Sequence, residues 1–374
     1  MKKIIVLLFV SLLSSCTAIK QMKNEKINFK KDCSSMFFDK QKALVNVVID
    51  QIDTNFMFDT GAGISVLTDS TIIDYKTKKI GFLGSSKGAD RKKIKNKFLT
   101  VSLKNNLFES ENKVLVFINM PISVCSAKKK YSGILGMDVF LDEKSSMHLD
   151  FSNNKVCTIS EDQIQILLKD NNKHLIKSDC KKSQIIVFVT IEGKEYPFKL
   201  DTGYNGNIII PYSTEISFKN TNSIELNGLM YQTVGSHTNG KEIFYEKMPV
   251  SFGDFEFETK MSTSTSIKAQ NIGLQFIKGF DWIINYNNNK VYIKRNENKI
   301  ENLFSKKITY FAKAIKSNLI IVTKENSQTM FNLNDEITAV NNTKVTQENI
   351  CEMQDLLNNT EDWNTLKLEV ISKL

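Results

Sequence analysis

The 374-residue sequence predicts a mainly β protein built from two related lobes and closed by a small α+β segment. Three observations predict it. A strand-turn-strand unit ending in Asp-Thr-Gly occurs twice, the closing segments of the two copies also match, and the pattern changes after residue 305.

In the first copy, Ala43–Ile49 is strand-like, Asp50-Gln51 is a polar turn, Thr54–Phe58 returns, and Asp59-Thr60-Gly61 follows. In the second, Ile185–Ile191, the turn Glu192-Gly193-Lys194 and Tyr196–Leu200 deliver Asp201-Thr202-Gly203. Further on, Phe151–Val156 parallels Tyr286–Val291, and Ile134-Leu135-Gly136 loosely parallels Asn271-Ile272-Gly273. Near-constant offsets over three ordered matches place lobe 1 at 33–160 and lobe 2 at 183–298. Between them, 161–182 is a linker that opens with helical spacing over Glu161–Lys169. The last segment, 305–374, reads as strands Leu319–Thr323 and Glu336–Val340, a turn at Asn341-Asn342, a helix Gln347–Asn358 and a strand Leu366–Ile371.

The N-terminus reads as an address. Lys2-Lys3 precedes an apolar run, Ile4–Val10, too short to span a bilayer, and residues 1–15 are expected to be a lipoprotein-type signal peptide. Leu13-Ser14-Ser15-Cys16 resembles the bacterial lipobox, which implies lipidation at Cys16 and a membrane-anchored protein of the cell envelope, facing the periplasm or exterior. An ordinary leader with an incidental cysteine is the alternative. Residues 16–32 are polar and rich in Lys and Asn, a tether. The other cysteines (33, 125, 157, 180, 351) show no metal spacing, and their pairing stays open.

Composition narrows the chemistry. A charged share of 24% and an apolar share of 41% exclude wholesale disorder and multi-span membrane classes. Three histidines, at 148, 174 and 237, leave little for a His-built metal site or a His-dependent hydrolase. The net charge of +9 is scattered lysine without aromatic interleaving, so no nucleic-acid partner is expected.

One Asp-Thr-Gly is a weak signal, since Asp and Gly are common in turns. Two copies at equivalent places in a repeat, each behind an apolar strand and ahead of an apolar run, are a strong one. The flanks predict partly buried acids, read as having no cationic neighbour in sequence. Such carboxylates are costly unless hydrogen-bonded or used. Two of them side by side would share one proton and supply an acid and a base for hydrolysis, with no cofactor and no metal.

On Phe58-Asp59-Thr60-Gly61-Ala62, Leu200-Asp201-Thr202-Gly203 and Ile134-Leu135-Gly136, the chain resembles the aspartic peptidases of the pepsin and retropepsin kind. It looks like a single-chain, two-lobed bacterial member over roughly residues 33–297. The resemblance implies paired acid-protease β-barrels, Asp59 and Asp201 as catalytic residues, and a peptide or protein substrate. It further implies that Thr60 and Thr202 bond across the interface, and that Gly61 and Gly203 let backbone approach the acids. Tyr204 replaces the usual small residue after the second triplet, which puts that loop's hydrogen bonding in question. Without a Ser or Thr hydroxyl at 62 or 204, a mildly acidic optimum is expected. Gly81–Gly88 is one candidate flap and Val234-Gly235-Ser236 another. The competing class is a catalytically inactive peptide-binding or scaffolding lipoprotein on the same fold.

Leu333–Asn342 resembles the corresponding stretch of PDZ-like modules, with Asn334 and Asn342 where glycine is usual; both residues tolerate positive φ. That resemblance implies a PDZ-like domain at 305–374 and a possible peptide ligand by strand addition.

Overall fold

The computed structural model describes residues 25–373 apart from positions 40–41, 70–71, 74–78, 82–84, 88–92, 96, 119–123, 126–130, 141–145, 171, 182–183, 214–215, 217, 220–221, 234–235, 299 and 301–308. The expected leader and Cys16 lie outside the described residues, as do Val234-Gly235 and, within Gly81–Gly88, positions 82–84 and 88. The described chain is mainly β, arranged in two large sheets and one short hairpin.

In the first half, β1 (Lys42–Ile49) and β2 (Ile52–Phe58) form a hairpin with Ile49 opposite Ile52. Both turn residues, Asp50 and Gln51, take positive φ (47° and 73°), the handedness that suits the strands' own twist. Strands β3 (Val66–Leu67) and β4 (Gly133–Leu135) follow, with β4 running parallel to β2 on one side and antiparallel to β3 on the other. A second hairpin, β5 (Ser146–Asp150) and β6 (Lys155–Ile159), turns through Asn154 at φ 53°. Helix α1 (Glu161–Leu167) begins at Ser160, which forms a capping box with Gln163.

The second half repeats the plan. β7 (Gln184–Ile191) and β8 (Lys194–Asp201) turn at Glu192 and Gly193, again both at positive φ (48° and 81°). β9 (Ile208–Pro211) is followed by a long hairpin, β10 (Ser223–Thr233) and β11 (Ser236–Phe252). β12 (Asn271–Gly273) lies parallel to β8 and antiparallel to β9, as β4 lies between β2 and β3. The closing hairpin, β13 (Phe280–Asn285) and β14 (Lys290–Arg295), turns through Asn289 at φ 52°, matching Asn154.

The halves join where β5 pairs antiparallel with β13, His148 opposite Ile283, giving the shared order β14-β13-β5-β6. One apolar cluster runs through both, including Phe56, Phe58 and Leu135 from the first and Phe198, Leu200 and Ile272 from the second. Phe58 and Leu200 have no exposed surface, so each contributes roughly 2–3 kcal/mol of burial immediately ahead of an aspartate.

Part of the expected tether is tied down. Asn28–Phe29 pairs with Phe108–Glu109, and Glu25 meets the buried Lys113. The disulfides are Cys33–Cys157, across neighbouring strands, and Cys125–Cys351; Cys180 is the free cysteine among the described residues.

The C-terminal segment holds β15 (Tyr310–Ile315), β16 (Asn318–Glu325), β17 (Glu336–Val340), α2 (Ile350–Asn359) and β18 (Leu368–Ile371) around Tyr310, Ile337, Leu357 and Trp363. β15 was not anticipated from the sequence. The helix starts later than its spacing suggested because the Asn349 side chain takes the Thr346 N–H, making a turn ahead of it. The final strand starts later because Trp363 tucks into the core on a short turn, its indole N–H bonded to Leu357 O. Asn334 and Asn342 both take positive φ, 73° and 64°. The segment is fastened twice: β16 pairs with β10, and Cys125–Cys351 ties α2 to the first half.

Candidate active site

Each Asp-Thr-Gly leaves the end of a hairpin strand, β2 or β8, and the two loops meet face to face. Their meeting is built from four buried hydrogen bonds. Thr60 N–H donates to Thr202 Oγ1 (3.0 Å) and Thr202 N–H to Thr60 Oγ1 (3.1 Å). Thr60 Oγ1 donates in turn to Leu200 O (2.8 Å), and Thr202 Oγ1 to Phe58 O (2.7 Å). Both threonines are fully buried. Each hydroxyl thus accepts one hydrogen bond and donates its single proton to another.

The carboxyls are held in the same symmetric way. Asp59 Oδ1 accepts from Gly61 N–H (2.8 Å) and Ala62 N–H (3.0 Å). Asp201 Oδ1 accepts from Gly203 N–H and Tyr204 N–H, both at 3.1 Å. Tyr204 therefore leaves the loop's bonding intact, because the bond comes from its backbone; its ring turns away to meet Tyr231 edge-on. Each carboxyl also packs on the glycine of the opposite loop. A Cβ at Gly61 would collide with the Asp201 carboxyl, and one at Gly203 with the Asp59 carboxyl, so neither position accepts a side chain. Burial first, and then the neighbouring Asp201 charge, push the Asp59 carboxyl up to about 7, with Lys199 pulling the other way.

The two halves differ beside the acids. Asn271 Nδ2 donates to Asp201 Oδ2 (2.7 Å), and Lys199 Nζ lies 3.7 Å from that oxygen while donating to Gly61 O (3.1 Å). The expectation of no cationic neighbour is thereby overturned. A strand carries residues i and i+2 on one face, so the lysine two places before Asp201 stands beside it. Setting the two repeats in register was the available signal, since Lys199 and Asn271 replace Met57 and Ile134.

Behind the first loop, Ser65 Oγ donates to Asp138 Oδ1 (2.6 Å) and accepts from Gly136 N–H (3.0 Å). Asp138 is bridged to Lys113 at 2.8 Å, and Lys113 to Glu25 at 2.5 Å. Behind the second loop, Tyr231 donates to the buried Glu242, whose carboxyl burial pushes up to about 7. Among the described residues no group of three or more His, Cys, Asp or Glu could hold a metal ion, and no helix is long and apolar enough to cross a membrane.

Neither a family model nor a curated protein matches the chain.

Proposed function

We propose that the chain is an aspartic-type endopeptidase of the two-lobed pepsin and retropepsin architecture, carrying a PDZ-like module at its C-terminal end. One observation carries the reading: two Asp-Thr-Gly loops from equivalent hairpins are locked by reciprocal threonine bonds, and each acid rests on the other's glycine. Two carboxyls so placed ionise one at a time. The ionised one takes a proton from water as its oxygen attacks the peptide carbonyl carbon. The protonated one donates to the carbonyl oxygen; the tetrahedral intermediate then breaks its C–N bond as the acid that took the water proton gives it to the amine and a gem-diol hydroxyl returns a proton to the other acid.

Two disulfides suit an oxidising compartment and hence export. With lipid on Cys16 the protein would sit at the cell envelope, and Cys16→Ala should release it from detergent-phase membranes. The module braces rather than recruits. On β15 the N–H groups of Ala312 and Ala314 are taken by Asn358 and Gln354, and Ala312 O by Asn358. A peptide adding to that edge must first displace both side chains.

The test is a peptide-library digest by purified residues 17–374, read by mass spectrometry from pH 3 to 8. Asp59→Asn and Asp201→Asn should each abolish cleavage and keep the native circular dichroism. Full activity in either variant refutes the peptidase reading and favours the scaffold.

A further inference from the structure

The two halves are related by repetition, yet the pair of residues nearest the acids is apolar in one half and polar in the other. Met57 and Ile134 are register partners across β2 and β4. Both are buried among Leu44, Val66 and Val116. Lys199 and Asn271 are register partners at the same place across β8 and β12. Each pair sits two residues before the loop, on the face the aspartate shares. Among its described residues the first half therefore offers Asp59 only the two loop N–H groups. The second offers Asp201 the same two, plus the Asn271 amide on Oδ2 and the Lys199 ammonium beside it.

We propose that Lys199 and Asn271 are positioning residues that make Asp201 the charged member of the pair and leave the shared proton on Asp59. The inference rests on the peptidase reading and assigns its two roles: Asp201 is the base toward water, and Asp59 is the acid toward the peptide carbonyl. A carboxylate gains from each donor aimed at it, and a cation within about 4 Å favours the charged form strongly; Asp59 has its two loop N–H groups but no counterpart of the Asn271 amide, and Lys199 acts on it less than burial and the Asp201 charge do. Lys199 also reaches Gly61 O, so its ammonium is held between the loops and does not swing into solvent. The other titratable groups facing Asp201 are Asp59 and Tyr204, with Tyr231 and Glu242 behind the Tyr204 ring.

The test exchanges the second-half residues for their first-half counterparts. In Lys199→Met, both limbs of the pH profile of kcat/KM should move up by roughly one unit, because loss of a cation makes each ionisation harder. At fixed pH that reads as about a tenfold loss on the acid limb and a tenfold gain on the alkaline limb. Asn271→Ile should move the acid limb the same way. Lys199→Arg should hold both limbs in place. Glu242→Gln, which removes the other buried carboxyl nearby, should leave the Lys199→Met displacement unchanged. A merely structural role would lower kcat/KM at every pH without moving a limb, and that result overturns the proposal. Carboxyl 13C NMR of the protein, with signals assigned by Asp59→Asn and Asp201→Asn, reads the charge directly. The signal lost in Asp59→Asn should be the one that carries the shared proton, and Lys199→Met should weaken that preference. The shared proton residing on the other acid overturns the proposal. Absence of any peptide cleavage by the wild type refutes the peptidase reading, while the NMR assignment still decides where the charge lies.

Discussion

Thr60→Val keeps the shape of a fully buried side chain and deletes one hydroxyl from the contact between the two loops. The deletion removes the acceptor of Thr202 N–H (3.1 Å) and the donor to Leu200 O (2.8 Å). The geometry offers neither group a replacement partner, because Thr202 Oγ1 is already committed to Thr60 N–H and Phe58 O. A buried polar group left unpaired costs about 1–3 kcal/mol, and two are orphaned, so the expected loss is about 2–6 kcal/mol of unfolding free energy. Thr60→Ser keeps both bonds and should cost under about 1.5 kcal/mol, the price of a missing methyl. Urea unfolding followed by tryptophan fluorescence measures this, since Trp282 lies in the sheet shared by the two halves. Loops that separate also separate Asp59 from Asp201, so kcat of the proposed reaction should fall in Thr60→Val and largely persist in Thr60→Ser. A Thr60→Val protein within 0.5 kcal/mol of wild type would show that the interlock contributes nothing and that the halves are held by their sheet alone.

Glu242 carries a proton in the folded state that an unfolded chain releases, its carboxyl being raised from 4.5 to about 7. Stability should therefore fall as pH rises from about 4.5 to 7, by about 3 kcal/mol in all, and Glu242→Gln should remove that part of the slope; equal slopes in chemical denaturation would refute the burial argument. Lys113→Met should cost about 3–5 kcal/mol at neutral pH because it strands Asp138 and Glu25, and a rise in melting temperature would count against the network. Gly228 takes φ +119° on β10, and a Cβ there would strike the Val322 carbonyl of β16. Gly228→Val should loosen the C-terminal segment from the hairpin, read as faster proteolysis after Glu325, with no change in that segment's own core. Unchanged proteolysis would mean that Cys125–Cys351 alone holds the segment.

Much of the arrangement was legible in the sequence because repetition is a linear signal. The two hairpins, the two Asp-Thr-Gly loops and the matched turns ending at Asn154 and Asn289 follow from strand alternation and from turn residues that accept positive φ. The asparagine turns of the C-terminal segment were legible for the same local reason. Strand β15 was not, since its role is set by its partners: β16 on one edge, and the Asn358 and Gln354 side chains on the other. The cysteine pairs were equally out of reach, because Cys125 and Cys351 are neighbours only once the last segment has folded back onto the first half. The symmetric part of the candidate site, two acids on two equivalent loops, can be read from the repeat. The asymmetric part comes only with folding. Lys199 and Asn271 acquire meaning when two short parallel strands place them in register beside one carboxyl, and pairing between distant segments is fixed by packing rather than by local pattern.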